Sequence, residues 1–378
     1  NGENTPLVIV LRLAITTLGI VLFWCVRRWP RSRFAKSPIS YLLLAFTLLI
    51  ASACFATPLT LWHKLVWTSV GVVAAYVWFI AYALTDRTAN VSNDTSIQIA
   101  SFRPLWGATN VPLPKGAAYL RRIEARDEEQ LAIVQLKGLK LLAWAILLSL
   151  LSIALTRFFH GFLRIPTAAE ALTMSVQRTP VAWSIRWESQ ILSFFESILS
   201  ISVLGHRIIG CCRLAGFNAL RNTYRPLSSV TVAEFFNRYY YYFKELLVDF
   251  FFYPTFFYFG RAKMKLRLTL STFAAAFVGN AFFHFTRDWP IIRDCGLKQA
   301  LSNFQVYLFY CLVLSTALTV SQLRARGPRR TGFIRGRLLP AIGVGLFFCL
   351  LDIFGSTQRN YPLIEHFRYL ASLFWIRM

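Results

Sequence analysis

The chain has little charge for its length. Only 15% of its 378 residues are Asp, Glu, Lys or Arg, whereas 56% are hydrophobic. A water-soluble domain of this size would need more charged side chains to cover its surface. Among the charged residues the acidic ones are the minority: 17 Asp and Glu stand against 41 Lys and Arg, which gives a formal net charge of +24. The low charge argues against an ordinary soluble globular protein. The excess of basic over acidic residues indicates a partner or surface that accommodates positive charge.

The signature motifs of several enzyme classes are also missing from the sequence. It contains no Gly-x-Ser-x-Gly elbow, no phosphate-binding loop, no Gly-x-Gly-x-x-Gly and no His-Glu-x-x-His. Serine hydrolases, nucleotide-driven pumps, dinucleotide enzymes and zinc proteases therefore lose support. The seven cysteines show neither a metal-binding spacing nor a disulfide framework. We predict no metal site.

What the chain does have is long apolar runs. Seven of them reach roughly 18 to 25 residues, enough to cross about 30 Å of hydrocarbon as helices. They are Leu7–Val26, Tyr41–Leu59, Leu61–Leu84, Leu141–Phe158, Leu266–Phe285, Ala300–Val320 and Leu338–Phe354. Two more apolar stretches, Ile191–Phe217 and Phe235–Tyr258, carry charges and could span, re-enter or lie along the interface. The sequence predicts an all-α polytopic transmembrane bundle of about 8–10 membrane helices plus interfacial helices, as a single membrane-embedded domain over residues 1–378.

The basic residues cluster in short connections, such as Arg27–Lys36 and Arg324–Arg337. The positive-inside rule places such loops in the cytoplasm, and they also favour anionic lipid headgroups. Nucleic acid is not the expected partner, because no recognition motif accompanies the charge. With this orientation the long polar segment 85–138 is cytoplasmic. Its Pro and Gly residues predict irregular backbone up to about Gly116, and helical spacing from Ala117 predicts a surface helix leading into the fourth span.

One segment, Val230–Gly260, is unusually aromatic: "VTVAEFFNRYYYYFKELLVDFFFYPTFFYFG". Thr231 and Glu234 stand three residues apart where the apolar periodicity begins, so they predict a capping box and a helix start. The helix is expected to continue until Pro254 ends or kinks it.

Charged residues interrupt this aromatic helix at Arg238, Lys244, Glu245 and Asp249. Aromatic rings with interspersed charge are typical of an interfacial helix. Alternatively the charges face a polar cavity inside the bundle, where Asp249 could pair with Arg238 or Lys244. A second unusual segment follows, "FVGNAFFHFTRDW", with a single histidine, His284, in apolar surroundings.

The order of these residues resembles the signature helix of the membrane-bound O-acyltransferase family. Its alginate- and teichoic-acid-acylating bacterial members carry Glu-Phe-Trp, two basic residues, Trp-His, a gap, Asp-aromatic and Pro, and then a histidine in a following apolar helix after a glycine. The matching residues here are Glu234, Phe235, Phe236, Arg238, Tyr239, Asp249, Phe250, Pro254, Gly279 and His284. The chain departs from the pattern at Tyr240, where those relatives have His, and in "GNAFFH", which replaces Gly-x-Trp-His. The resemblance covers about residues 100–290, with its signature core at about 230–290.

The resemblance implies an enzyme of the bacterial inner membrane that moves an acyl group to a hydroxyl on a cell-envelope glycan or glycolipid. The donor would be a cytoplasmic acyl-CoA or acyl carrier protein thioester, used as a co-substrate with no permanently bound cofactor. The lipid bilayer and envelope-glycan proteins are the implied partners. His284 is the implied general base, with Asn237 as the second catalytic group. The residues implied in substrate binding or structural support are Tyr240, Arg238, Lys244, Asp249 and Glu234.

The chemistry is consistent with this assignment, because a neutral imidazole is the usual group that removes a hydroxyl proton during acyl transfer. An apolar environment favours that neutral form. Two alternatives stay open. His284 could instead cap a helix carbonyl within the bundle, and the protein could be a non-catalytic lipid or glycan transporter or an accessory membrane subunit.

Overall fold

A computed structural model of the chain describes residues 5–58, 60–86, 113, 115–324, 332–355 and 360–375. The secondary structure of these residues is helical, apart from one isolated antiparallel bridge between Glu124 and Phe217. The predicted all-α class is therefore confirmed. The irregular backbone predicted up to about Gly116 lies mostly outside the described residues.

The described helices are numbered here in chain order. The first eight are α1 (Thr5–Arg28), α2 (Arg33–Lys36), α3 (Pro38–Cys54), α4 (Leu61–Thr85), α5 (Ala117–Ile123), α6 (Glu128–Leu155), α7 (Ala168–Val176) and α8 (Trp183–Leu214). The next eight are α9 (Val232–Tyr239), α10 (Tyr241–Leu247), α11 (Tyr253–Tyr258), α12 (Met264–Phe273), α13 (Asn280–Arg287), α14 (Trp289–Arg324), α15 (Leu339–Leu351) and α16 (Leu363–Ser372). Shorter π and 3-10 turns extend or join several of them, namely Thr156–Phe162, Pro226–Ser228, Val248–Phe252, Ala274–Gly279, Ile334–Leu338 and Asp352–Phe354.

Seven stretches of the described chain are long and apolar enough to cross a membrane. They are Pro6–Arg28, Leu61–Thr85, Glu128–Phe162, Trp183–Leu214, Met264–Arg287, Trp289–Arg324 and Ile334–Phe354. In most of them the apolar side chains are largely on the outside: only 11% of the apolar window in the first stretch and 17% in the third is buried within the protein, whereas 67% is buried in Leu61–Thr85. Such surfaces are stable in hydrocarbon and not in water. The protein is an integral membrane protein.

Most predicted spans coincide with these helices, and the differences concern helix ends. The run Tyr41–Leu59 corresponds to the shorter helix α3, and Ile191–Phe217 falls in the long helix α8, which is a candidate span. The surface helix predicted from Ala117 onward is wrong in its extent. It ends at Ile123, where the backbone hydrogen-bonds to a later connection, and α6 then starts at Glu128 and runs without interruption through the fourth span.

The described chain divides into two compact units. The first comprises the described parts of Asn1–Leu131 together with Gly216–Ala219 and His284–Ala300. In it, Phe23 of α1 and Tyr76 of α4 belong to one apolar core, while a second core joins α3, α4 and the start of α14. α4 packs against both α1 and α3.

The second unit comprises Ala132–Ala215, Leu220–Phe283 and the described parts of Leu301–Met378. Stacked rings form its central core: Phe235 of α9 lies between Phe194 of α8 and Phe348 of α15, with ring centroids 6.2 and 3.9 Å away. A further core joins α7, α14 and α16. The aromatic segment of the sequence thus packs against spanning helices of this unit, while the prediction of one membrane-embedded domain stays a prediction.

Candidate functional site

The aromatic segment begins with the predicted helix start. The Thr231 side-chain oxygen accepts the N–H of Glu234 at 3.1 Å. The Glu234 carboxylate accepts the N–H of Val230 at 2.9 Å, one residue earlier than in the predicted capping box. Glu234 also pairs with Arg238 at 2.6 Å, and Arg238 donates to Ser228 at 2.7 Å. In this structure Glu234 and Arg238 therefore stabilise the start of α9, and the role that the resemblance implied for them stays a prediction.

The single helix expected up to Pro254 is wrong, because the helix breaks at Tyr240, where φ is −140° and ψ is 73°. The connection that follows α8 supplies the hydrogen bonds that the break would otherwise leave unmade. Thr223 donates its hydroxyl to the carbonyl of Tyr239 at 2.8 Å, and the carbonyl of Asn222 accepts the N–H of Tyr241 at 2.9 Å. The distant connection therefore stabilises a break that local helix propensity disfavours.

Asn222 is the central residue of this junction. Its side chain is 1% exposed, and its Oδ1 accepts the N–H of Tyr242 at 3.3 Å. Its Nδ2 is buried without a hydrogen-bond partner among the described residues. A Cβ at Gly205 would lie 2.8 Å from the Cβ of Asn222, so only glycine lets α8 approach this closely. A polar Asn-Thr pair in an otherwise basic connection is the sequence feature that hints at this junction.

A π turn, Val248–Phe252, follows α10 and carries Asp249, which is half-buried. Pro254 does not end the helix, since α11 continues through it to Tyr258. The widened turn precedes a proline that lacks an N–H and would clash with the carbonyl four residues earlier in a regular helix. Such turns occur often at functional sites.

A second π turn, Ala274–Gly279, packs directly against the first. A Cβ at Gly279 would lie 2.6 Å from Cδ2 of Phe251, so the glycine permits the contact. The rings of Phe243 and Phe283 also meet, at a centroid distance of 4.7 Å. The aromatic segment and the stretch Ala274–Phe283, which leads to His284, therefore lie side by side within the second unit.

The basic residues of the segment have carboxylate partners close in sequence. Lys244 pairs with its neighbour Glu245, and its Nζ lies 4.6 Å from the ring centre of Tyr241. Arg238 pairs with Glu234, as described above. Both basic side chains thus have ion-pair partners other than Asp249, the one that the sequence suggested.

His284 lies in the last turn of α13, late in its span as the sequence predicted. Its side chain is half-buried with Nδ1 shielded from solvent, and its carbonyl accepts the N–H of Asp288 at 3.0 Å. His284 belongs to the first unit, whereas Asn237 and Tyr240 belong to the second. Asn237 is exposed, and Tyr240 is half-buried. The pairing of His284 with Asn237 stays a prediction.

A buried polar pair escaped the sequence analysis. Asn280 is completely buried, and its Oδ1 accepts the hydroxyl of Tyr307, itself 4% exposed, at 3.1 Å. The Nδ2 of Asn280 has no hydrogen-bond partner among the described residues. Asn280 precedes His284 by four residues, and helical periodicity places both on one face. This spacing within "GNAFFH" is the signal that could have revealed it.

A carboxylate near the end of the last candidate span was also missed. Asp352 accepts a hydrogen bond from Ser193 at 3.3 Å. Burial, followed by the negative charge of Asp352, raises the pKa of the Tyr239 phenol above its ordinary value. An acidic group therefore acts on the end of α9, beside the junction at Tyr240. A run such as "LLDIF" gives no sequence hint of that proximity.

No protein-family model matches the chain, and no curated protein matches it. Among the residues that the structure describes, no group of three or more His, Cys, Asp or Glu is placed to hold a metal ion.

Proposed function

We propose that the protein is a membrane-embedded O-acyltransferase, which transfers an acyl group from a thioester to a hydroxyl. The observation that carries the proposal is the packing of the aromatic segment on the stretch that leads to His284. Phe251 lies against Gly279, and Phe243 lies against Phe283. Segments of the resemblance that are about 30 to 40 positions apart in sequence are therefore neighbours in the second unit, which supports a shared site.

His284 acts as the general base in this proposal. Its neutral imidazole removes the proton of the acceptor hydroxyl while the oxygen attacks the thioester carbonyl carbon. The carbon–sulfur bond then breaks, and the departing thiolate takes the proton from the imidazolium, leaving an ester and a free thiol. No covalent intermediate with the protein is needed.

A side-chain amide would orient the hydroxyl or stabilise the developing oxyanion. The resemblance implies Asn237 in this role. The burial of Asn280 makes that residue a second candidate. Asn280 is fully buried on the helix that carries His284, whereas Asn237 is exposed. We propose Asn280 as a candidate beside Asn237.

The substrates follow from the resemblance and remain part of the proposal. The donor is acyl-CoA or an acyl carrier protein thioester that arrives from the cytoplasm, where the basic loops lie. The acceptor is a hydroxyl on a cell-envelope glycan or glycolipid of a bacterial inner membrane, and envelope proteins assist its delivery. Clusters of arginine at one end of the spans support this orientation.

The test is acyl transfer by the full chain in lipid nanodiscs. Acetyl-CoA labelled in the acetyl group is incubated with a bacterial envelope extract, and released thiol and alkali-labile label in the acceptor are measured. His284→Gln should slow both by about 10²–10⁴-fold, the usual contribution of a general base. His160→Gln is the matched control and should retain activity, because His160 lies on the π turn after α6 and bonds the carbonyl of Ile165.

Two arms separate the remaining alternatives. Asn280→Ala and Asn237→Ala are compared, and the residue whose loss slows transfer by about 10²-fold or more takes the oxyanion role. If His284→Gln folds and transfers label as fast as the wild type, the general-base assignment is wrong. If the wild type transfers no acyl group from acetyl-CoA or longer thioesters, a transporter or accessory subunit becomes the better reading.

A further inference from the structure

A cavity of 670 Å³ lies in the first unit, where α1 and α4 begin. Its volume falls within the roughly 300–1,000 Å³ typical of ligand sites. The start of α14 supplies the remaining wall through Trp289 and Arg293. None of the residues in the predicted acyl-transfer site lines it.

The charged side chains that line the cavity are all basic: Arg12, Lys64 and Arg293. His63 also lines it, and no carboxylate does among the described residues. Arg293 has a carboxylate neighbour, since its Nε lies 2.7 Å from Asp294. The other two have no ion pair with any described residue. The cavity therefore presents an excess of positive charge to whatever occupies it.

Arg12 is the most informative of the three, because it is the only charged residue in the first span before Arg27. An arginine within a membrane span is costly unless it faces a partner or a wet cavity. It lies seven residues after the start of α1, a depth of about 10 Å at 1.5 Å per residue. Its side chain is half-buried and lines the cavity. The preference of basic residues for cytoplasmic loops therefore does not account for an arginine at this depth.

Aromatic side chains also line the cavity. Trp67 and Trp289 stack with ring centroids 6.2 Å apart and an interplanar angle of 21°. A Cβ at Gly71 would lie 2.7 Å from Cζ2 of Trp289, so the glycine lets the indole lie flat against α4. Tyr76, which is 2% exposed, lines the cavity as well. A ligand with an anionic head and an apolar tail matches this combination of basic and apolar lining residues.

We propose that this cavity binds the phosphate headgroup of an anionic phospholipid, with Arg12 and Lys64 as its ligands and the acyl chains along Trp67 and Trp289. Arg matches phosphate with a planar fork of donors, and basic pockets between spanning helices bind anionic lipid headgroups. The cavity borders a lipid-facing helix, which favours a membrane lipid over a soluble phosphate ester. The inference does not depend on the proposed acyl transfer.

The test is lipid retention by the full chain, measured by native mass spectrometry after release from nanodiscs of phosphatidylglycerol or of phosphatidylcholine. The wild type should retain about one phosphatidylglycerol and no phosphatidylcholine. Arg12→Gln and Lys64→Gln should each weaken retention about tenfold, as expected for a charge-assisted contact. Arg28→Gln is the matched control: it removes the same charge from the opposite end of α1 and should retain the lipid as the wild type does.

The remaining outcomes overturn the proposal. Equal retention by Lys64→Gln and Arg28→Gln would show that the cavity is not the site, and Lys64 is exposed, so its variant should fold normally. Saturable binding of inorganic phosphate or glycerol 1-phosphate, with no retained lipid, would identify a soluble ligand instead. Equal retention of both lipids would show that charge does not select the occupant.

Discussion

The contact between the two π turns can be tested at Gly279. A Cβ added there would lie 2.6 Å from Cδ2 and 2.7 Å from Cγ of Phe251. Favourable carbon–carbon contacts begin near 3.5 Å, so the ring or the helix would have to move by about 1 Å. These atoms lie near the base of the phenylalanine side chain, and its ring cannot swing away easily. Gly279→Ala should therefore destabilise the protein by ~1–3 kcal/mol, the usual cost of overpacking.

The measurement is the free energy of unfolding in lipid–detergent micelles, followed by tryptophan fluorescence. Gly343→Ala is the matched control, because Gly343 lies in α15 with no atom within 4 Å of an added Cβ. It should be neutral or stabilising by up to ~1 kcal/mol, since alanine favours a helix over glycine. Combining Gly279→Ala with Phe251→Leu should cost less than the sum of the single changes, because the two residues are coupled. Equal stability of Gly279→Ala and Gly343→Ala would refute the close packing.

Three further outcomes are expected. Asn222→Ala should destabilise the junction at the helix break by ~1–2 kcal/mol, because a buried cap is lost, and hydrogen exchange of the following amides should accelerate. Burial raises the pKa of Asp86, whose carboxylate accepts the N–H of Ala118 at 2.6 Å. Its neutral form is therefore favoured by folding, so its contribution to the free energy of unfolding should be greatest below the ordinary Asp pKa and fall as pH rises through the raised value. Asp86→Asn should remove this trend. Backbone and side-chain hydrogen bonds from Thr167 lower the pKa of Glu170. Protection of α7 should therefore be lost as pH falls below the ordinary Glu pKa, and Glu170→Gln should abolish that dependence; equal pH profiles for variant and wild type would contradict either assignment.

The sequence predicted the spanning helices well, because that signal is local. A backbone in hydrocarbon must satisfy its own hydrogen bonds, so an apolar run of sufficient length forms a helix whatever its neighbours are. Runs such as Leu61–Leu84 and Leu338–Phe354 were found in this way. The start of α9 was equally local, since Thr231 and Glu234 are one turn apart.

The break at Tyr240 could not be predicted from the sequence, because the groups that stabilise it come from elsewhere. Local pattern favours an uninterrupted helix through "FFNRYYYYFKELL". Asn222 and Thr223, some 16 to 20 residues earlier, supply the hydrogen bonds that make the break stable. The proximity of Asp352 to Tyr239 could not be predicted for the same reason, because it depends on the packing of α15 against α9.

The sequence by itself determined that this is a helical membrane protein, which residues form most of its spans, and that one histidine stands alone in an apolar helix. Tertiary structure decided which side chains meet. It placed Phe251 on Gly279, joined Tyr307 to Asn280, and gathered Arg12 and Lys64 around one cavity. The physical reason is the distance along the sequence over which each effect acts. Solvation of a helix by lipid is fixed residue by residue, whereas these contacts depend on how closely helices that are distant in sequence approach each other.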